Sequence, residues 1–377
     1  MIKQRLFTPG PTDVPPEVLL EMAQPMIHHR TPRFRQLFGE VTAGLQKLLM
    51  TESDVLTIDG SGTSGMEAAI ACAVPRGRKV LVANGGKFGE RWAKVARVYG
   101  LDVDEVKLTW GTALTADTVA AKLRGGQYGA VIVVHSETST ATACDLQAIA
   151  AAVRGTDAIL IADCITSAGA LPLKMDEWGV DIIGLGSQKA LMLPPGLACV
   201  AVSEKAWKNI DAIKAPNLYL DLKAYRKSLA THDMPFTSAV SLIRGLHVSL
   251  GMIHRIGIET IWARTAILAR ATRTAAEALG MKVFSRSPSD SVTAILYPDG
   301  VNDAFRKRME RKYGCSVAGG QDELKDKAFR VSHMGYVDVL DTIGMIAATE
   351  YAMAELGVKV EIGQGVTAAL RVLADWK

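Results

Sequence analysis

Lys189 closes the apolar run Val180-Asp-Ile-Ile-Gly-Leu-Gly-Ser-Gln-Lys189, and Asp163 closes the earlier run Ala158-Ile-Leu-Ile-Ala-Asp163. An amine at one strand end and a carboxylate at another are the minimum set for pyridoxal 5'-phosphate (PLP) chemistry. The amine forms a Schiff base with the aldehyde, and the carboxylate keeps the pyridine nitrogen protonated so that the ring can take up electrons. The plain alternative for Lys189 is a surface lysine, but a strand end amid apolar residues is a poor place for an idle ammonium. For Asp163 it is a helix N-cap, with Thr166 to Ala170 following as a turn.

A second signal lies upstream. Gly60-Ser-Gly-Thr-Ser-Gly65 follows a strand and opens a helix, so it fits the G-x-G-x-x-G dinucleotide fingerprint. That fingerprint also needs an acid about 20 residues on, at the end of the next strand. Here the next strand ends Ala83-Asn84-Gly85-Gly86, and Asp102 and Asp104 lie too far along. Free N–H groups at a helix N-terminus bind phosphate in either case. The Ser61, Thr63 and Ser64 hydroxyls suit a phosphomonoester better than a pyrophosphate pressed against bare glycine. Six of the seven histidines (His28, His29, His135, His232, His254, His333) read as structural, and no metal spacing such as HExxH is present. No metal is expected.

These residues need a scaffold of alternating strands and helices, and the chain supplies one. Val55–Ile58, Lys79–Ala83, Asp102–Val106, Ala130–Val134, Ala158–Ala162, Asp181–Leu185 and Leu197–Val202 read as strands. Met66–Val74, Glu90–Tyr99, Thr115–Leu123 and Leu146–Val153 read as helices between them. Unbroken β-branched runs between helices indicate an α/β fold with a mostly parallel sheet buried on both faces. From about Leu242 to Leu279 a helical pattern continues without a strong breaker and leads into a smaller α+β unit. There Ser291–Leu296 and Ala328–Ser332 read as strands, and Asn302–Tyr313 and Leu340–Leu356 as helices. The expected division is a large unit over 1–260, including an N-terminal segment that covers the substrate, and a small one over 261–377.

Composition narrows the class further. With 377 residues the chain is long enough for two domains. Its net charge of +4 is spread without Lys/Arg blocks, which does not argue for nucleic acid. No run approaches the roughly 20 apolar residues of a membrane span, and the N-terminus has no signal-peptide core. The five cysteines are scattered, odd in number and without CxxC, as in a cytoplasmic protein with reduced thiols. Cys164, beside Asp163, reads as packing.

Several ordered motifs together resemble a known family. Thr8-Pro-Gly-Pro-Thr12, His29-Arg-Thr-Pro32, Gly60-Ser-Gly-Thr63 with Met66-Glu-Ala-Ala69, and Ala83-Asn-Gly85 come first. Ser187-Gln-Lys189 with Pro194-Pro-Gly196, and Phe329-Arg330, complete the set. The chain thereby resembles the class V aminotransferases, nearest the alanine–glyoxylate and serine–pyruvate branch, over essentially its whole length. The resemblance implies PLP fold type I, with a seven-stranded large-domain sheet, and a homodimer whose active sites lie at the subunit interface. It implies that Lys189 is the Schiff-base lysine and general base, and that Asp163 pairs with the pyridinium nitrogen. Ser61, Gly62, Thr63 and Gln188 would hold the phosphate, joined by Thr237 from the other subunit. Thr138, with Ser139 as a near alternative, would bond the phenolic oxygen. Phe88 falls where many relatives stack a tryptophan on the ring, with Trp92 as a competing candidate that reads better as core. Arg330 would bind the substrate α-carboxylate through a permanently charged fork; an internal salt bridge is its plain alternative. Gly10 resembles the backbone that closes over the substrate. The family often has a tyrosine shortly before the Thr237 position, whereas this chain reads Asp233-Met-Pro-Phe-Thr237.

The expected activity is transfer of an amino group from a small amino acid, alanine or serine, to glyoxylate or pyruvate. No second basic residue stands out to bind a side-chain carboxylate, which favours a neutral donor. A desulfurase or lyase on the same fold is the first rival, but desulfurases carry a histidine where this chain has Gln188. An accessory protein that kept the fold is the second, although it would have no need of Lys189, Asp163 and Arg330 together.

Overall fold

Seven strands form the large sheet: β1 (Asp54–Gly60), β2 (Lys79–Asn84), β3 (Asp102–Lys107), β4 (Tyr128–Val134), β5 (Ile159–Asp163), β6 (Ile182–Gly186) and β7 (Gly196–Val202). This is seen in a computed structural model, which describes residues 2–214, 216–374 and 376. The spatial order is β1-β7-β6-β5-β4-β2-β3. β7 runs antiparallel to both its neighbours, and the other pairs are parallel. The apolar runs β5 and β6 are buried throughout, as a sheet covered on both faces requires. The edge strand β3 alternates acidic and aliphatic residues and is only half-buried. Both the seven strands and the mostly parallel order agree with the expectation from sequence.

The helical readings hold with boundary shifts of a few residues, and two differences have clear causes. An 18-residue helix, α1 (Pro32–Leu49), was not anticipated. Its start was legible, since Thr31 caps Phe34 N–H with its hydroxyl and Pro32 occupies the first turn. The helical pattern expected to run unbroken from Leu242 to Leu279 is instead two helices, α4 (Val240–Ile256) and α5 (Ile258–Ala278). They meet at Gly257, whose φ of +88° lies where other residues are strained.

The smaller sheet has the order β8-β9-β11-β10, all antiparallel, from β8 (Lys282–Val283), β9 (Val292–Leu296), β10 (Ala318–Gly319) and β11 (Ala328–Ser332). There are two large hydrophobic cores. One surrounds the large sheet and extends to Trp262; the other runs from Leu268 onward and includes Phe7. The N-terminal segment thus packs with the second core, as Arg5–Leu6 pairs in parallel with Cys315–Ser316. The seam between the units is lined with hydroxyls: Ser136, Ser289 and Ser291 form a buried triangle with sides of 2.8, 3.0 and 2.9 Å. At its rim Lys87 Nζ meets Asp322 at 2.6 Å.

Candidate active site

The C-terminal ends of β1, β4, β5 and β6 open on one edge of the sheet, where α/β proteins place their sites. Lys189 follows β6 in a turn built by Ser187, whose hydroxyl donates to Pro194 O (2.7 Å) and accepts from Leu197 N–H (3.2 Å). The turn points the Lys189 side chain inward, and only 8% of the residue is exposed. Its Nζ donates to Pro9 O. Thr12 fixes the same turn from above, bonding Lys189 O through its hydroxyl (2.8 Å) and Gln188 O through its amide (3.2 Å). Gly10 has φ +131°, and any side chain there would collide with Lys189. The segment expected to cover the substrate therefore lies directly on the lysine.

Asp163 ends β5, buried, with both oxygens engaged. Oδ1 accepts from Ile165 N–H (2.9 Å) and Oδ2 from Trp92 Nε1–H (2.8 Å). The first bond caps the turn that follows, so the helix-cap alternative is partly realised, but no helix forms there. Burial pushes the Asp163 carboxyl up to about 6, against the pull of those two bonds. Burial likewise pushes the Lys189 amine down to about 8; Asp163 opposes this, and Arg330 and Arg91 add to it. The two groups thus feel each other across the pocket. We expect labelling of Lys189 by a small amine reagent to rise with pH through about 8, following the neutral amine. In Asp163→Asn the midpoint should fall, because the partner that favours the ammonium is gone. An unchanged midpoint would show that the two groups do not interact.

The turn into helix α2 (Gly62–Ala73) has the geometry of an anion cup. Ser61 stands at the N-cap without a side-chain bond to the helix, so the first-turn N–H groups of Gly62 and Thr63 point outward. Gly62 sits close under Ile165, and a Cβ there would come within 2.6 Å of Ile165 Cδ1 and make that side chain move. Gly186, at the end of β6, packs against Gly62, and a Cβ on it would lie 3.3 Å from Gly62 Cα. Gln188 lies beside this contact with a buried side-chain Oε1 that has no partner. An uncapped helix start and a buried amine near a buried carboxylate are what a phosphate-bearing aldehyde on a basic ring would satisfy.

Helix α3 (Lys87–Val98) presents Phe88, Arg91 and Trp92 toward the site. Trp92 is fully buried, and its indole N–H is taken up by Asp163. Phe88 is half-buried on the open side, with the Arg91 guanidinium 4.8 Å from its ring centroid. The α3 start is capped from a distance by Glu137, which accepts from the amides of Phe88 and Gly89 (3.1 Å each). Glu137 also takes the Ser139 hydroxyl (2.5 Å). Ser139 Oγ in turn accepts from Lys87 N–H, so this hydroxyl is already committed. Thr138 Oγ1 shares a 2.6 Å bond with Thr166 Oγ1.

Arg330 sits mid-strand in β11, 6% exposed. Its Nε donates to Gly319 O (3.0 Å) and its Nη1 to Thr138 O (2.9 Å). Among the described residues no carboxylate forms an ion pair with it, so the internal salt bridge is not realised. Burial pushes its pKa down to about 10, which is costly unless an anion arrives. Thr237 is exposed and bonds none of the cup residues of its own chain. Its loop is pinned by Asp59, which accepts from Ala239 N–H (3.1 Å), and by Phe236 stacked on Tyr219 (4.9 Å).

Three residues of this site were not singled out from the sequence: Glu137, Arg91 and Trp92 as a partner of Asp163. Arg91 is a basic residue beside the cup that the sequence reading did not weigh. Its Nη1 donates to Thr63 Oγ1 at 3.1 Å. One helical turn from Phe88, its position was the available signal, but an exposed arginine on an amphipathic helix reads first as a solvated face.

Comparisons with known proteins bear on the family of the chain as a whole. The pattern of the family Aminotransferase class-V matches residues 5–323. The soluble hydrogenase 42 kDa subunit of Anabaena cylindrica is 42% identical over 99% of both chains. The serine–glyoxylate aminotransferase of Methylorubrum extorquens is 36% identical, covering 99% of this chain and 96% of its own. Among solved structures, the pyridoxamine–pyruvate aminotransferase of Mesorhizobium loti superposes with a TM-score of 0.94 at 30% identity, over 99% of this chain and 98% of the other. The large sheet and the smaller unit together are the fold type I arrangement. The chain belongs to the class V aminotransferases.

Proposed function

We propose that the protein transfers the amino group of a small neutral amino acid, serine or alanine, to glyoxylate or pyruvate, with PLP as its cofactor. The observation that carries this reading is Lys189, a buried amine held near neutrality and facing Asp163. PLP, when bound, supplies an electron sink for the charge left when the Cα proton departs. Lys189 would hold it, with Ser61, Gly62, Thr63 and Gln188 at its phosphate, Asp163 at its ring nitrogen, Thr138 at its phenolic oxygen and Phe88 against its ring. Arg330 orients the substrate by its α-carboxylate, using the Nη2 edge that its two carbonyl partners leave free. Lys189, neutral in a large fraction near its pKa of about 8, takes the Cα proton and returns it one atom away. Asp163 stays anionic above about pH 6 and so holds a positive ring nitrogen. Gly10 and Pro9 keep water from the amine. One amino acid and one 2-oxo acid exchange their functional groups, and no net redox change occurs.

The same reading takes the protein as a homodimer in which Thr237 serves the neighbour's phosphate; its exposure in a single chain supports this. It also keeps the division into 1–260 and 261–377. No described helix is long and apolar enough to cross a membrane, and the five cysteines are unpaired, which supports a cytoplasmic site of action. An accessory role, prompted by the hydrogenase-subunit relative, leaves three buried charged groups without a use.

The test is a spectrum of the purified protein with PLP, followed by alanine, serine or aspartate added singly without acceptor. Loss of the visible cofactor band together with release of a 2-oxo acid is expected with serine or alanine. A band that no amino acid shifts would overturn the transaminase reading.

A further inference from the structure

The cup at the start of α2 contains no cationic residue between Gly60 and Gly65, although a bound phosphomonoester carries close to two negative charges at neutral pH. A helix N-terminus contributes only about half a unit of positive charge. The charge has to be matched by a side chain from another element, and the geometry shows one. Arg91 reaches across from α3 to Thr63, donating from Nη1 to Oγ1 at 3.1 Å. One donor of the fork is used this way, and the guanidinium is oriented by the Phe88 ring, 4.8 Å from its centroid. Thr63 Oγ1, engaged as an acceptor, still has its own hydrogen to donate into the cup.

We propose that Arg91 is a phosphate-anchoring residue for the cofactor, reaching it directly and through the Thr63 hydroxyl. This rests on the PLP reading above. It also answers the absence of tyrosine before Thr237, because Arg91 supplies from within the chain a contact that this loop lacks. The effect of Arg91 on Lys189 places the guanidinium within electrostatic range of the catalytic amine, as an anchor at the other end of one small molecule would be. Glu137 fixes the start of α3, with Phe88 in its first turn and Arg91 one turn further on.

The experiment titrates the apo-protein with PLP and, separately, with pyridoxal, which lacks the phosphate. Wild type, Arg91→Gln and Arg91→Lys are compared by the visible band. Thermal shift with inorganic phosphate gives a second readout. PLP binding should weaken about ten- to a hundredfold in Arg91→Gln, the range of a charged hydrogen bond, and less in Arg91→Lys, which keeps the charge without the fork. Pyridoxal binding should be the same in all three, and stabilisation by inorganic phosphate should shrink in Arg91→Gln. PLP affinity within about twofold of wild type in Arg91→Gln would overturn the inference. So would an equal loss for pyridoxal, which would assign Arg91 to packing on Phe88. A loss confined to the KM for aspartate would overturn it too and assign Arg91 to a substrate side-chain carboxylate. A wild type that binds no PLP would remove the cofactor reading itself, a result distinguishable from all of these.

Discussion

Lys189→Ala is expected to lower amino-group transfer by at least about 10²–10⁴-fold, the range for loss of a positioned general base. Among the described residues no other lysine bonds the N-terminal turn over the site. Lys87 is the basic residue nearest in sequence to the Phe88 platform, but it is tied to Glu90 and Asp322 at the rim. Folding should survive the change. Burial makes the Lys189 ammonium unfavourable, so removing it relieves a cost, while Asp163 loses a partner that offsets its own burial. The two effects oppose each other, and the unfolding midpoint is expected to stay within about 2 °C of wild type, where about 1 kcal/mol moves a chain of this size by about 1–2 °C. Lys189→Arg separates charge from proton transfer. It restores a cation beside Asp163 but cannot deprotonate, so it should be as inactive as the alanine variant. Activity in Lys189→Arg near the wild-type level would overturn the assignment. The assay is release of the 2-oxo acid from serine, with the melting curve of each variant alongside.

The second large effect is expected at Arg330. Arg330→Gln should raise the KM for the amino donor about a hundredfold, since one or two charged hydrogen bonds are lost at about 1.5–3 kcal/mol each. kcat should change far less, and PLP affinity should stay within about twofold, because Arg330 binds the α-carboxylate and no part of the cofactor. Arg330→Lys should recover only part of the loss, as a point charge cannot match both carboxylate oxygens. Arg330 also bridges Gly319 O and Thr138 O, so both variants should melt a few degrees lower. A simple amine without a carboxylate separates the two roles. Its slow reaction should be the same in wild type and in Arg330→Gln, and an equal loss toward this amine would show that Arg330 is structural.

The parts of this site that could be read from sequence are those where one residue contradicts its surroundings. Lys189, Asp163 and Arg330 each interrupt or end an apolar run, and a charge there needs a reason. Most of the seven strands were legible because unbroken apolar runs rich in β-branched residues alternate with helical patterns, and the edge strand β3 because Val103 and Val106 recur among its charges. Trp92 as the partner of Asp163 was not legible. That contact joins α3 to β5 across 71 positions and depends on how the helix packs. Glu137 escaped notice for the same reason, because its partners are backbone amides of Phe88 and Gly89 that no side-chain pattern reveals. The pairing of Arg5–Leu6 with Cys315–Ser316 involves two residues on each side, too few to show any periodicity. Gly257 was visible as a letter, but a lone glycine in a helical pattern is ordinarily tolerated at a modest cost.

That short N-terminal pairing makes a mechanical linkage. Phe7 bonds Ser316 O through its amide and Ser332 N–H through its carbonyl, so it is clamped between two strands of the smaller unit. Two residues later Pro9 O rests on the Lys189 amine. The chain between them spans at most about 10 Å even when fully extended and has almost no slack. Any displacement of the smaller unit is therefore transmitted to the roof over Lys189, as a pull cord lifts a shutter. The hydroxyl seam that must part for such a movement holds the Ser136, Ser289 and Ser291 triangle but, among the described residues, no buried ion pair.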